Sequence, residues 1–141
     1  MHVRCAMSEP AVTVPRTASV QGVARRMKRS GAGTVFIVDD ENRLLGRVTD
    51  RDLAVRVLAP GLSAEVRVEA VMTRKPVAVD ADADIMGAYR AMRAEGVQRI
   101  PVVSQGRLVG VITFEDLFRI SMQGPTAPRR TMVIARGPLA P

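Results

Sequence analysis

The sequence repeats itself, and few features constrain a fold more. Displaced by 65 residues, Val3, Met7, Val12 and Val14 fall on Val68, Met72, Val77 and Val79. Gly22, Arg25, Met27 and Gly31 fall in the same way on Gly87, Arg90, Met92 and Gly96. After Val38 and Val103 the displacement drops to 64, so that Arg43, Leu44, Gly46, Thr49, Asp52 and Leu53 match Arg107, Leu108, Gly110, Thr113, Asp116 and Leu117. The slip falls where Asp39–Asn42 stands against Ser104–Gly106, two turn-forming clusters, and length changes belong in such loops. The chain is two copies of one small unit, and a unit of this size buries too little apolar surface to be stable alone.

Both copies read as β-α-β-β-α. A short extended piece (Ala11–Val14; Pro76–Val79) precedes a helix, on which Val20, Val23, Ala24 and Met27 fall at i, i+3, i+4 and i+7. Ile85, Ala88, Tyr89 and Met92 repeat that face. Ser19 caps the first helix and Asp82 or Asp84 the second, while Gly31 and Gly96 supply the stops. Two apolar runs around a turn then predict a hairpin, Val35–Val38 with Leu44–Val48 and Ile100–Val103 with Leu108–Ile112. A closing helix starts at Thr49 or Thr113. Continuous apolar strands need cover on both faces, so the expected fold is α+β, two tandem units packed sheet to sheet with pseudo-twofold symmetry. The boundaries are 1–58 for the first unit, 59–66 for a linker, 67–121 for the second unit and 122–141 for a mobile basic tail rich in Pro and Gly.

Composition excludes several functions. Apolar residues make up 47% and charged residues 25%, the balance of a folded chain. No apolar run approaches the roughly 18 residues that span a bilayer, and Arg4, Pro10 and Pro15 break the start where a signal peptide needs its apolar stretch. A cytoplasmic chain without a membrane anchor is expected. One cysteine, Cys5, and one histidine, His2, make neither an internal disulfide nor a thiolate–imidazole zinc cluster. General acid–base catalysis at neutral pH is done most often by histidine, no Walker-type loop is present, and Asp80, Asp82 and Asp84 cluster at a helix start, so catalysis is not expected. The net charge of +7 favours anionic partners. With only Phe36, Tyr89, Phe114 and Phe118 as rings, however, there is little to stack nucleotide bases on.

With the repeat established, the residues resemble the tandem CBS (cystathionine-β-synthase-type) domain pair, or Bateman module. The resemblance rests on Val71-Met72-Thr73, on Gly96-Val97-Gln98-Arg99-Ile100-Pro101-Val102-Val103 and on Gly110-Val111-Ile112-Thr113-Phe114-Glu115-Asp116-Leu117. In the first copy it rests on Ala6-Met7-Ser8 and Gly46-Arg47-Val48-Thr49-Asp50-Arg51-Asp52-Leu53. It implies a non-catalytic regulatory module that holds AMP, ADP, ATP or S-adenosylmethionine between its units, requires no cofactor, forms a homodimer and signals through an effector protein. Carried onto this chain, Asp52 and Asp116 grip the ribose diol, since a carboxylate offers only acceptors. Thr49 and Thr113 sit near helix N-termini that favour phosphate. Gly33, Thr34, Val35, Val97, Arg99, Ile100 and Pro101 line the adenine pocket, with Arg51 and Arg99 as phosphate partners.

The copies depart from the pattern at different places. Phe36 stands where the second copy has Pro101, Thr34 where it has Arg99, and Glu115 replaces Arg51. Structural readings stand beside the functional ones. Both aspartates also serve as first-turn acids and both threonines as caps. Arg25, Arg26, Lys28 and Arg29 read as a solvated face offsetting a helix dipole. Met7 and Met72 read as packing or dimer-contact residues, and the helix Leu53–Leu58 as a candidate dimer surface. Two other functions remain open, a nucleic-acid-binding protein using its basic tail and a structural dimer whose clefts are closed by side chains such as Phe36.

Overall fold

The structure, a computed structural model, describes residues 1–8 and 10–123. The expected mobility of the tail therefore concerns residues that, after Gln123, lie outside the described ones. Among the described residues two compact units form, one from Met1–Ala11 with residues 77–123, the other from Val12–Pro76. The fold is α+β, and among the described residues each unit has one sheet and two α-helices.

In the Val12–Pro76 unit the strands β1 (Thr13–Pro15), β2 (Thr34–Val38), β3 (Leu44–Thr49) and β4 (Thr73–Arg74) lie in the order β1-β2-β3-β4. β1 runs parallel to β2, and the other pairs are antiparallel. Helix α1 (Val20–Ser30) begins where the Ser19 hydroxyl accepts the Gly22 N–H at 3.0 Å. It ends at Gly31, whose φ of 73° is the left-handed conformation that glycine adopts without a Cβ penalty. Val20, Val23 and Met27 are buried on one stripe, as the spacing predicts, whereas Ala24 is exposed. Val23 and Met27 join Val14, Val35, Ile37, Val48 and Val68 in one core. Val20 instead packs with Val57 and Val71.

The other unit repeats the plan with β5 (Val79–Asp80), β6 (Arg99–Ser104), β7 (Arg107–Thr113) and α3 (Ile85–Glu95). Val3, Met7, Ala88, Met92, Ile100, Val102 and Ile112 are buried together in its core. Asp84, not Asp82, caps α3, accepting the Met86 N–H at 3.0 Å. Both hairpins bulge at matching places, Ile37/Val38 and Val102/Val103. The turn lengths explain the slip between the copies. Asp39 braces the longer turn by accepting the Arg43 backbone N–H (2.8 Å), the Glu41 N–H (2.9 Å) and Arg43 Nε (2.9 Å).

Three features differ from the expectation. The strands β1 and β5 begin later than Ala11 and Pro76, and Pro76 has no N–H to give a ladder. The first closing helix, α2 (Asp50–Leu53), has one α-helical turn and then widens to π geometry over Ala54–Leu58, with the Ala59 N–H on the Ala54 carbonyl at 2.9 Å. Its counterpart α4 (Phe114–Gln123) stays α-helical and runs two residues into the stretch read as tail. Finally, the segment ahead of each repeat packs on the hairpin of the other repeat. Thr73 pairs with Arg47 in one unit and Ser8 with Val111 in the other, and these are matching positions of the repeat. Met7 is 2% exposed within its core, which bears out packing as its role.

The Asp84 cap sets a pH dependence. The Met86 N–H bond, helped by the charge of Arg90, outweighs desolvation and holds this carboxyl below the usual carboxylate range. A lowered folded-state pKa means that the contribution is present at neutral pH and is lost as pH falls through that pKa. Asp84→Asn keeps a capping acceptor but removes the charge. Its melting temperature is therefore expected to lie below that of the parent chain at pH 7, and the gap to close below about pH 4.

Candidate functional site

Each unit gathers its expected site residues where the hairpin meets the closing helix. In the Val12–Pro76 unit the Asp50 N–H donates to the Gly33 carbonyl at 3.0 Å, drawing the loop before β2 against the start of α2. The matching bond in the other unit runs from the Phe114 N–H to the Gln98 carbonyl at 2.9 Å. Thr34 is register partner to Thr49, and Arg99 to Thr113. Directly opposed residues share a sheet face, so Thr34 and Thr49 lie together, as do Arg99 and Thr113. Gly33, Thr34, Thr49 and Asp52 thus converge in one unit, and Arg99, Thr113 and Asp116 in the other.

The Thr-x-x-Asp pairs are reciprocal capping boxes. Thr49 Oγ1 accepts the Asp52 N–H at 3.1 Å, and Asp52 Oδ2 accepts the Thr49 N–H at 2.9 Å. Thr113 and Asp116 repeat this at 3.0 and 2.9 Å. Sequence spacing puts such a pair three residues apart because the first free N–H groups of a helix need those acceptors. The second carboxylate oxygen faces an arginine in each copy, Arg56 Nη2 at 3.4 Å from Asp52 Oδ1 and Arg119 Nη2 at 3.5 Å from Asp116 Oδ1. Burial separates them. The Asp52 side chain is 18% exposed, whereas Asp116 has no exposed surface.

Other expected residues take different places. Val35 and Ile100 turn their side chains into the two cores, so either can face a ligand only through backbone groups. Pro101 and Phe36 lie two residues along from Arg99 and Thr34 on the site face itself, where both are buried, opposite Val111 and Arg47 respectively. Val97 closes α3 by donating its N–H to the Met92 carbonyl at 3.1 Å. Arg51 is exposed on the first turn of α2. A cleft of about 290 Å³ opens beside Arg99 and Thr113, with Gln98, Phe114, Glu115 and Phe118 as its other walls. That volume is at the small end for ligand pockets. Glu115 places a carboxylate there, where the first copy has Arg51. Among the described residues no group of three or more His, Cys, Asp or Glu side chains is arranged to hold a metal.

This arrangement matches one family. The CBS domain model matches the chain twice, over residues 3–59 and 68–123, and the chain belongs to the CBS domain family. The CBS domain-containing protein YhcV of Bacillus subtilis is 30% identical over 125 residues, 89% of each chain. Hypoxic response protein 1 of Mycobacterium tuberculosis is 34% identical over 102 residues, 72% of this chain and 71% of that protein. An uncharacterized protein of Methanopyrus kandleri is 29% identical over 111 residues, and the match spans 57% of its length. Among solved structures, hypoxic response protein I with two coordinated zinc ions has a TM-score of 0.78 at 31% identity, covering 84% of this chain and 98% of that one. The CBS domain pair of protein MJ0100, in complex with 5′-methylthioadenosine and S-adenosyl-L-methionine, has a TM-score of 0.76 at 26% identity, covering 86% and 99%.

Proposed function

We propose that this chain is a non-catalytic regulatory module that binds an adenosyl ligand, either an adenine nucleotide or S-adenosylmethionine, and passes the signal to a partner protein. One observation carries the reading: a CBS-family chain presents two Thr-x-x-Asp capping boxes, each with a threonine or arginine of the neighbouring strand beside it on one sheet face. The complex of MJ0100 with two adenosyl compounds supports the ligand class. Asp52, partly exposed, has lone pairs left for a ribose diol, and Arg99 lines a cleft with Thr113, where its guanidinium suits a phosphate or carboxylate.

A thermal-shift panel of AMP, ADP, ATP and S-adenosylmethionine tests this. One of them is expected to raise the melting temperature by an amount that grows with its concentration, and Asp52→Ala is expected to abolish the rise. A flat response to all four contradicts the reading. A ligand acts as a signal only if it binds one conformation better than another, so its differential affinity sets the output.

Homodimerisation belongs to the same proposal. Apolar side chains are exposed on both closing helices, with Val55 and Leu58 at 53% and 78%, and Phe118 and Met122 at 58% and 70%. Phe118 lines a groove of about 300 Å³ together with Met86, Tyr89 and Leu117. Contiguous apolar surface of this kind marks interaction sites. Light scattering on the eluted protein is expected to give twice the chain mass, and the single chain mass for the double variant Leu58→Glu with Phe118→Glu.

A further inference from the structure

The first hairpin carries a charge that its counterpart lacks. Arg47 stands in β3 where Val111 stands in β7, each between a glycine and an apolar–threonine pair. Arg47 is register partner to both Phe36 of β2 and Thr73 of β4, so the three share a face. Thr49, two residues along the strand, lies on that face roughly 7 Å away, within the reach of an arginine side chain. Val35 and Val48 point to the other side, into the core. Arg47 Nε is buried, and among the described residues nothing accepts its hydrogen bond. A buried N–H without an acceptor destabilises a fold, and the repeat shows that valine fits at this position with 1% exposure.

The neighbouring arginine does not serve the same purpose. Arg56 Nη1 donates to the Val71 carbonyl at 2.8 Å and to Thr73 Oγ1 at 3.0 Å, and Asp52 balances its charge. In the other unit the site face has its arginine at Arg99, where the first repeat has Thr34. Each face thus holds one strand arginine beside its Thr-x-x-Asp pair, carried by a different strand.

We infer that Arg47 is an oxyanion-binding residue of the Thr34–Thr49 face, donating through its guanidinium to a phosphate or carboxylate of the adenosyl ligand. The inference rests on the adenosyl-binding reading above. A guanidinium suits either group, since it presents parallel N–H donors to paired oxygens.

Calorimetric titration of the full chain with AMP, S-adenosylmethionine and adenosine separates the cases, because adenosine lacks the oxyanion. Arg47→Met is expected to weaken AMP or S-adenosylmethionine, whichever the parent chain binds, by ~10-fold or more. Adenosine affinity is expected to stay within about twofold, and Arg47→Lys to recover part of the loss. The melting temperature of Arg47→Val without ligand is expected to equal or exceed that of the parent chain. Equal losses for all three compounds, or a melting temperature well below the parent's, assign Arg47 a structural role and overturn the inference. Unchanged affinities overturn it too while leaving adenosyl binding intact. A parent chain that binds none of the three overturns both.

Discussion

Asp116→Ala is expected to destabilise the chain by about 3–5 kcal/mol, the cost of removing one partner from a buried ion pair. Asp116 has no exposed surface, and Arg119, which faces its Oδ1, is 14% exposed. Its Oδ2 is the acceptor for the Thr113 N–H, and Thr113 is itself 7% exposed, so the variant leaves a buried donor unmet. Asp52→Ala removes the same motif from the first copy at a cost of only about 1 kcal/mol. There the carboxylate touches water, Arg56 keeps its bonds to Val71 and Thr73, and solvent screens the pair. Asp116→Asn, which keeps an acceptor for the Thr113 N–H, is expected to fall between. Urea denaturation followed by circular dichroism measures all three, and equal losses for the two alanine variants contradict this account.

Gly46→Ala is expected to cost about 1–3 kcal/mol through overpacking, although alanine is the smallest side chain available. A Cβ on Gly46 would sit 2.5 Å from Met72 Sδ and 2.8 Å from the Thr73 carbonyl oxygen. The methionine can swing aside. The carbonyl belongs to β4, whose Arg74 is register partner to Gly46, so relief requires the strand to leave the sheet. Gly87→Ala makes the opposite prediction. Its Cβ would meet nothing within 4 Å, and α3 is expected to gain about 0.5–1 kcal/mol. A thermal melt of the two variants, moving in opposite directions from the parent, checks both.

Much of this fold was legible because its signals are local. The apolar spacing of Val20, Val23 and Met27, the Ser19 cap and the Gly31 stop each act within a few residues. The Thr49–Asp52 and Thr113–Asp116 boxes are likewise visible as spacing alone. Non-local facts were not. Nothing in Ala6-Met7-Ser8 says that it packs beside β7, since pairing of that segment depends on chain tracing across some hundred residues. Position Met72 against Gly46 shows the same limit: their fit is a contact between segments, not a pattern within one. The capping-box motif also hid a difference in burial, because Asp52 and Asp116 read identically while only one is sealed from water. Arg47 left a trace, a charge inside the apolar run Leu44–Val48, but only the register put it beside Phe36 and Thr73.

Adenosyl binding is measured most directly by titrating AMP, ATP and S-adenosylmethionine into the full chain in a calorimeter, with Asp52→Asn alongside. Saturable heat from one of them, lost or strongly weakened in Asp52→Asn, is the predicted result. No heat from any of the three up to ~1 mM, a concentration that would reveal even weak sites, would contradict a sensing role.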